Sequence, residues 1–450
     1  MIPLLCLLAL VITGLTHWVY RWRNPKCNGV LPPGSMGFPI IGETLQFFSV
    51  HPLEGVPPFI SKRVSRYGTF FKTSIVGQPV VVSTDPEINH HIFQQEGKLF
   101  QCWYTESAGQ LLGEQGWSVH SGAMHKYIRS LALRLIGPES LKDGLLPEMD
   151  EMTQKHLHLW TGHANIDVKE ATTTMIFALA AKKLLCCNEE EASKLGREFK
   201  DFSNGFISFP LYVPGTACYA ALKGRRSAIN VIKNTLDQRR SSTKRNNQDF
   251  LDHLLEEMED EEAPLNESIA VDLVFLLFFA AYETTSSAIT LAIKFLNDYP
   301  EALKKLKEEN ETIIRNREKK ESVFTWAEYK SMTFTNMVIN ETVRLANIVP
   351  GIFRKVMDDV QIKGNLYVIT EDSEAVVVVV FLSAKWKALA SSSGGRFWQI
   401  IEQGLRKSPE KLWHMTKFYS LPQQKSKPPL LMVTQYAVDN KAPILTALPS

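Results

Sequence analysis

The most chemically pointed stretch of this sequence is Glu283-Thr284-Thr285-Ser286-Ser287. It interrupts a run that is apolar from Ile269 to Tyr282, save Asp272, and apolar again from Ala288. A helix apolar on all sides lies in a large core or in a membrane. A carboxylate and hydroxyls placed there must be paired, hydrated or protonated, because unpaired burial of a charge is expensive. Threonine and serine can also bond the carbonyl four residues back, which bends a helix and opens room for water. Glu283 beside Thr284 therefore forms a candidate proton-delivery pair. The plainer alternative is a set of polar residues bonded to neighbouring helices. A second membrane span is disfavoured by Asp272 and Glu283, which are costly in hydrocarbon.

Other residues have spacing that matters. Glu341 and Arg344 lie three apart in Glu-Thr-Val-Arg, so a helix puts them on one face as a pair. His125 and Arg129 stand one turn apart on another helical stretch. His156, His158 and His163 cluster in sequence, but His-x-His on a helix points the rings apart, so no metal site is expected. Adjacent Cys186 and Cys187 are poor disulfide partners and read as small buried residues. There is no Gly-x-Ser-x-Gly, no phosphate-binding Gly-rich loop and no Cys-x-x-Cys.

The elements that must position these groups are mostly helical. Residues 54–68 read as a helix ending at Gly68, and 69–82 as a hairpin turning at Gly77-Gln78-Pro79. Asp85-Pro86 opens a helix to about Gln95. Residues 120–200 are mostly helical, with breaks at Gly137-Pro138 and Gly162. Residues 203–222 read as irregular and apolar, and 236–263 as a charged, solvated face or loop. Helices follow over about 267–297, 300–318 and 327–346. The expected class is mainly α with a small β part.

The 450 residues are 44% apolar and 22% charged, which excludes a disordered chain, a collagen-like chain and a multi-span channel. Fifty basic against 48 acidic residues give a net charge of +2, which argues against nucleic acid as a partner. Residues 2–20 carry no charged side chain and are followed by Arg21, Arg23 and Lys26. At about 1.5 Å per residue this run spans close to a hydrocarbon core. The flanking charge favours a single amino-terminal anchor with the body in the cytosol; a cleaved leader would want basic residues before the run. Leu31-Pro32-Pro33-Gly34 through Gly42 reads as a stiff hinge that sets the body at a fixed angle to the membrane.

Taken together, Ala280-Ala281-Tyr282-Glu283-Thr284-Thr285 resembles the oxygen-activation helix of cytochrome P-450 monooxygenases. Glu341 to Arg344 is similar to their Glu-x-x-Arg signature. Leu31 to Phe47 and Phe206 to Arg225 resemble the hinge and substrate-access region of plant members, in the brassinosteroid and triterpenoid oxidase clan. The resemblance covers about residues 1–364. It implies the family fold and haem as cofactor. It further implies a membrane-bound NADPH-cytochrome reductase as partner, an endoplasmic reticulum location, and O2-dependent hydroxylation of a steroid- or terpenoid-like substrate. It makes Thr284 and Glu283 the oxygen-side pair and Ala281 the small residue near the haem. His125, Arg129 and Arg354 become contacts to the haem carboxylates, and Glu341 and Arg344 structural.

The likeness stops short of the family's iron ligand. That ligand is a cysteine near the carboxyl end, whose thiolate pushes electron density toward bound oxygen. Here the cysteines are Cys6, Cys27, Cys102, Cys186, Cys187 and Cys218, with none beyond. Gly394-Gly395-Arg396-Phe397 echoes the ligand loop without sulfur, and nothing around His414 supports it as a substitute. Val376 to Val380 reads as an improvised, aggregation-prone strand. Residues 383–450 hold ten basic and three acidic side chains and no sustained periodicity. The expected organisation is an anchor at 1–20, a hinge at 21–50, an incomplete P-450 domain at 51–364 and a divergent tail at 365–450. The composition of that tail fits translated intron or a shifted frame. The expected outcome is an inactive family member; the alternatives are a non-catalytic, membrane-anchored lipid-binding remnant and a mis-spliced product.

Overall fold

The computed structural model describes residues 2–24, 30–49, 56–104, 106–113, 122–206, 208, 211–241, 249–317, 324–346, 348–349, 351–358, 360–362, 367–369 and 376–380. The expectations for Gly394–Phe397, His414 and residues 383–450 lie outside the described residues. The chain divides into two compact units. Of the described residues, one takes those within 1–126, 205–218 and 349–380, the other those within 127–204 and 219–348. The described residues are mainly helical with a small sheet.

In the first unit, α1 (Ile2–Arg23), α2 (Thr44–Phe47), α3 (Pro58–Tyr67), α4 (Pro86–Gln94) and α5 (Glu106–Leu112) accompany seven strands. Pro at the first turn starts α3 and α4, where its missing N–H costs nothing. The Asp85 carboxylate caps α4 by accepting from the Glu87 N–H at 3.1 Å. The strands are β1 (Phe70–Ile75), β2 (Gln78–Ser83), β3 (Phe100–Cys102), β4 (Ile352–Val356), β5 (Val360–Ile362), β6 (Tyr367–Ile369) and β7 (Val376–Val379). Five make one sheet in the order β1-β2-β7-β4-β3, while β5 and β6 pair separately. The expected hairpin joins β1 and β2 with Ile75 opposite Gln78.

The valine run corrects the expectation drawn from sequence. β7 lies inside the sheet, parallel to β2 and antiparallel to β4. Val377 and Val379 pack with Phe70, Val81 and Phe100 on one face. Val376, Val378 and Val380 pack with Phe59, Phe71 and Val82 on the other. A strand buried on both faces has no reason to alternate, so an unbroken apolar run is what this position demands.

α6 (Gly122–Ile136) straddles the boundary between the units. It is followed by α7 (Pro138–Ser140), a π-helical turn (Leu141–Leu145), α8 (Leu146–Thr161), α9 (Val168–Leu185), α10 (Glu189–Phe206) and α11 (Ala217–Ser241). Then come α12 (Phe250–Glu259), α13 (Glu267–Asp298), α14 (Pro300–Arg315), α15 (Trp326–Ser331) and α16 (Thr333–Leu345). Asp167, Asp249 and Asn266 cap α9, α12 and α13 by accepting N–H bonds at 2.9–3.0 Å. Two expectations shrink. The stretch expected to be irregular over 203–222 is helical at both ends, with α10 running to Phe206 and α11 starting at Ala217. The charged stretch of 236–263 contains α12, whose Phe250, Leu251, Leu254 and Leu255 are buried. α13 packs against α9, α12, α14 and α16 in the second unit.

Candidate active site

α13 is held from one side by aromatic packing. Phe275, Phe278 and Tyr282 recur at helical spacing and meet Phe177 of α9 and Phe199 of α10, with ring centroids 4.8–5.4 Å apart for Phe199–Phe275, Phe177–Phe278 and Phe177–Tyr282. The Tyr282 hydroxyl donates to the Phe199 carbonyl at 2.9 Å and meets the Ser203 hydroxyl. Burial pushes the Tyr282 phenol far above its ordinary range. With that face fixed, Ala280 and Thr284 are exposed and Ala281 half-buried on the opposite face. The Thr284 hydroxyl donates to the Ala280 carbonyl at 2.7 Å, the backward bond that the sequence allowed.

Glu283 does not stand alone with Thr284. Lys169 at the start of α9 donates to its carboxylate at 3.0 Å and to its carbonyl at 3.3 Å. The same ammonium reaches the Ser286 and Ser287 hydroxyls, both at 2.8 Å. One lysine thus gathers the polar residues of α13 against α9. Asp272, the other acid of this helix, is paired with Arg225. Burial raises its carboxyl, and Arg225 draws it partly back.

The signature helix has its own anchor. Arg344 Nε donates to the Glu341 carboxylate at 2.6 Å. Glu309 of α14 caps α16, accepting from the Phe334 N–H at 2.7 Å, the Thr335 N–H at 2.9 Å and the Thr335 hydroxyl at 2.6 Å. Yet the buried side chains of α16 are Thr335 and Thr342, while Val343 is 51% exposed. α16 is amphipathic, and its Phe334, Met337, Val338, Ile339 and Leu345 are half-buried.

His125 and Arg129 are exposed on one stripe of α6, continued by exposed Leu133 and Ile136. Arg354 belongs to the first unit. There it lies on β4 opposite Cys102 and donates to Glu96 at 3.0 Å. Its Nε is buried and has no acceptor among the described residues. Sequence reasoning missed Lys169, Glu309 and Glu96, each a single residue whose partner is remote in sequence.

These features test whether haem suits the chain. An open face of small residues on α13 and a basic-then-apolar stripe on α6 suit a flat apolar ring with carboxylate tails; in the first unit, Arg354 by itself keeps an orphaned buried donor. The sulfur donors do not fit. Partial burial of the sulfur pushes up the thiols of Cys102, Cys186, Cys187 (to about 11) and Cys218, away from the thiolate form that binds a metal. Cys186, expected to be buried, is instead exposed where α9 ends in a left-handed turn. Among the described residues no group of three or more His, Cys, Asp or Glu is placed to hold a metal ion.

The fold is that of one family, and the comparisons agree. The cytochrome P450 family model matches residues 32–384. The chain is 48% identical over 365 residues to cytochrome P450 87A3 of Oryza sativa subsp. japonica, spanning 81% of this chain and 71% of that one. It is 38% identical over 419 residues to cucurbitadienol 11-hydroxylase of Siraitia grosvenorii, spanning 89% and 87%. It is 35% identical over 363 residues to cholesterol 22-monohydroxylase CYP90B52 of Paris polyphylla, spanning 80% and 77%. Among solved structures, retinoic acid bound cyanobacterial CYP120A1 superposes with a TM-score of 0.67 at 25% identity, covering 78% of this chain and 76% of that one. The chain belongs to the cytochrome P450 family, whose cofactor is haem. The match runs past residue 364 and takes in β7.

Proposed function

We propose that this chain is a cytochrome P450 of the steroid- and triterpenoid-hydroxylating kind that has kept its oxygen-side half and lost its iron ligand, and so does not turn over. The substrate class follows the relatives named for cucurbitadienol and cholesterol hydroxylation. In such an enzyme Glu283 and Thr284 would manage protons, with Ala281 beside the ring. His125, Arg129 and Arg354 would hold the carboxylate tails, and Glu341 with Arg344 would brace the scaffold. The electron donor of the parent activity is a NADPH-cytochrome reductase. The 22-residue helix α1, with Leu10, Val11, Ile12 and Leu15 all exposed, supports an amino-terminal anchor in the endoplasmic reticulum membrane. The apolar α13 is half-buried in the body and reads as a core helix.

The observation that carries the loss of function is chemical. In these 450 residues no cysteine follows residue 218, so the carboxyl-side thiolate by which the family holds iron has no counterpart among them. The test is haem content of the purified full chain, together with turnover in the presence of reductase, NADPH and a triterpenoid. Sub-stoichiometric haem and no hydroxylated product are expected. Stoichiometric haem with product would overturn the reading.

A further inference from the structure

In the second unit, Cys186 and Cys187 have a chemistry of their own that the site does not use. They make up the whole connection between α9 and the Asn188 cap of α10. The backbone is pinned on both sides of them. The Cys186 N–H donates to the Lys182 carbonyl at 3.1 Å and the Cys187 N–H to the Ala181 carbonyl at 3.2 Å, which closes α9. Asn188 and Glu191 then cap α10 reciprocally. The Asn188 side-chain oxygen accepts from the Glu191 N–H, and the Glu191 carboxylate from the Asn188 N–H, both at 3.0 Å. Cys186 lies in the left-handed region at φ +49°, a place that helix ends commonly give to glycine. There it is exposed, Cys187 is half-buried, and both thiols are free.

Both sulfurs face the same neighbours. Arg239 donates to the Cys186 sulfur, whose S–H donates to the Asp249 carboxylate. Asp249 and Arg239 also act electrostatically on Cys187, and so does Cys186 itself. Arg239 and Asp249 are joined at 2.9 Å, with the Asp249 side chain fully buried, so this wall is fixed. The two thiols therefore converge on the side of the connection that faces the end of α11 and the start of α12.

The pair discriminates among the species that sulfur binds. A direct disulfide fits poorly, because adjacent Cα atoms stand about 3.8 Å apart, closer than the roughly 4.4–6.8 Å that disulfides span. Zinc fits poorly as well, because it wants four donors and deprotonated sulfur. Among the described residues no group of three or more His, Cys, Asp or Glu is placed to hold a metal ion, and burial raises both thiols, that of Cys187 to about 11. A trivalent arsenic centre that already carries one carbon fits on each count. It is soft, it needs only two sulfurs, it sets them one atom further apart than a disulfide does, and it condenses with thiols rather than thiolates.

We propose that Cys186 and Cys187 form a binding site for trivalent organic arsenic compounds, chelated through both sulfurs. The arsenic arrives as R–As(OH)2. Two As–O bonds break and two As–S bonds form. Each hydroxyl leaves as water with the proton of one thiol, and arsenic stays trivalent, so neither oxidant nor reductant is consumed.

The full chain, reduced with a phosphine that is then removed, is treated with an equimolar amount of phenylarsine oxide and mapped by peptide mass spectrometry. A phenylarsenic bridge is expected on the peptide that carries Cys186 and Cys187, stable to a monothiol and released by a dithiol. Cys186→Ser and Cys187→Ser each lower the affinity by about a hundredfold or more, as when a two-point attachment becomes one-point. Cys102→Ser with Cys218→Ser leaves it unchanged. The bridge on the parent chain is read directly, so the test stands even if a variant folds poorly. Arsenic spread singly over separate cysteines and removed by a monothiol would overturn the proposal. So would a bridge that survives in either single variant, or zinc that shields the pair from alkylation as well as the arsenical does.

Discussion

If β7 is a seated strand, its valines carry measurable stability. Val377 is 0% exposed and Val378 1%, and they face opposite sides of the sheet. Val377→Ala removes two methyl groups, at about 0.8 kcal/mol each, and leaves a cavity that the packed sheet only partly closes; the sum is about 2–3 kcal/mol. Val378→Ala costs a similar amount on the other face, again about 2–3 kcal/mol. The two side chains serve separate clusters, so the double variant should lose roughly the sum, about 4–6 kcal/mol. That is comparable to the whole stability of many domains, and the double variant should fail to fold. The assay is urea unfolding of the full chain followed by tryptophan fluorescence, reading the midpoint at unchanged slope. Single variants that unfold at the parent midpoint would refute the seated strand and return residues beyond 364 to a tail.

Three further outcomes follow from the site. Lys169→Met should destabilise by about 1–2 kcal/mol in the same assay, mainly through the lost bonds to Ser286 and Ser287, since the half-exposed pair with Glu283 is screened by solvent. Glu309→Ala should uncap α16 at a cost of about 1–2 kcal/mol and raise hydrogen exchange at Phe334 and Thr335. Burial alone would raise the carboxyl of Glu328, but bonds from Arg317 and Thr325 outweigh it and hold the group below its ordinary value of 4.5. A depressed acid stabilises fully above the unfolded value and loses that contribution as pH falls through the folded one. The stability gap between parent and Glu328→Gln should therefore be constant near neutrality and shrink below about pH 4.5. A gap that widens on acidification would reverse the sign and refute the argument.

Much of this arrangement was legible in the sequence because its signals are local. The polar break in an apolar helix, the backward bond of Thr284 and the i,i+3 spacing of Glu341 and Arg344 all follow from residues a turn or so apart. The β1–β2 hairpin was marked by its turn residues. What escaped depends on distant partners. Lys169 meets Glu283 from another helix, Glu309 caps a helix it does not belong to, and Glu96 meets Arg354 from 258 residues away. None carries a local signature. β7 was read as a strand, but its place inside the sheet escaped: a run buried on both faces does not alternate and so mimics an aggregation-prone segment. α12 was masked by its own charged outer face.

The central claim is that the oxygen-side scaffold is present and the axial sulfur is not. The most direct measurement is the reduced carbon monoxide difference spectrum of the full chain supplied with haem. The account predicts no thiolate-type Soret band, whether or not haem associates. A stable thiolate-type band from this polypeptide would contradict it.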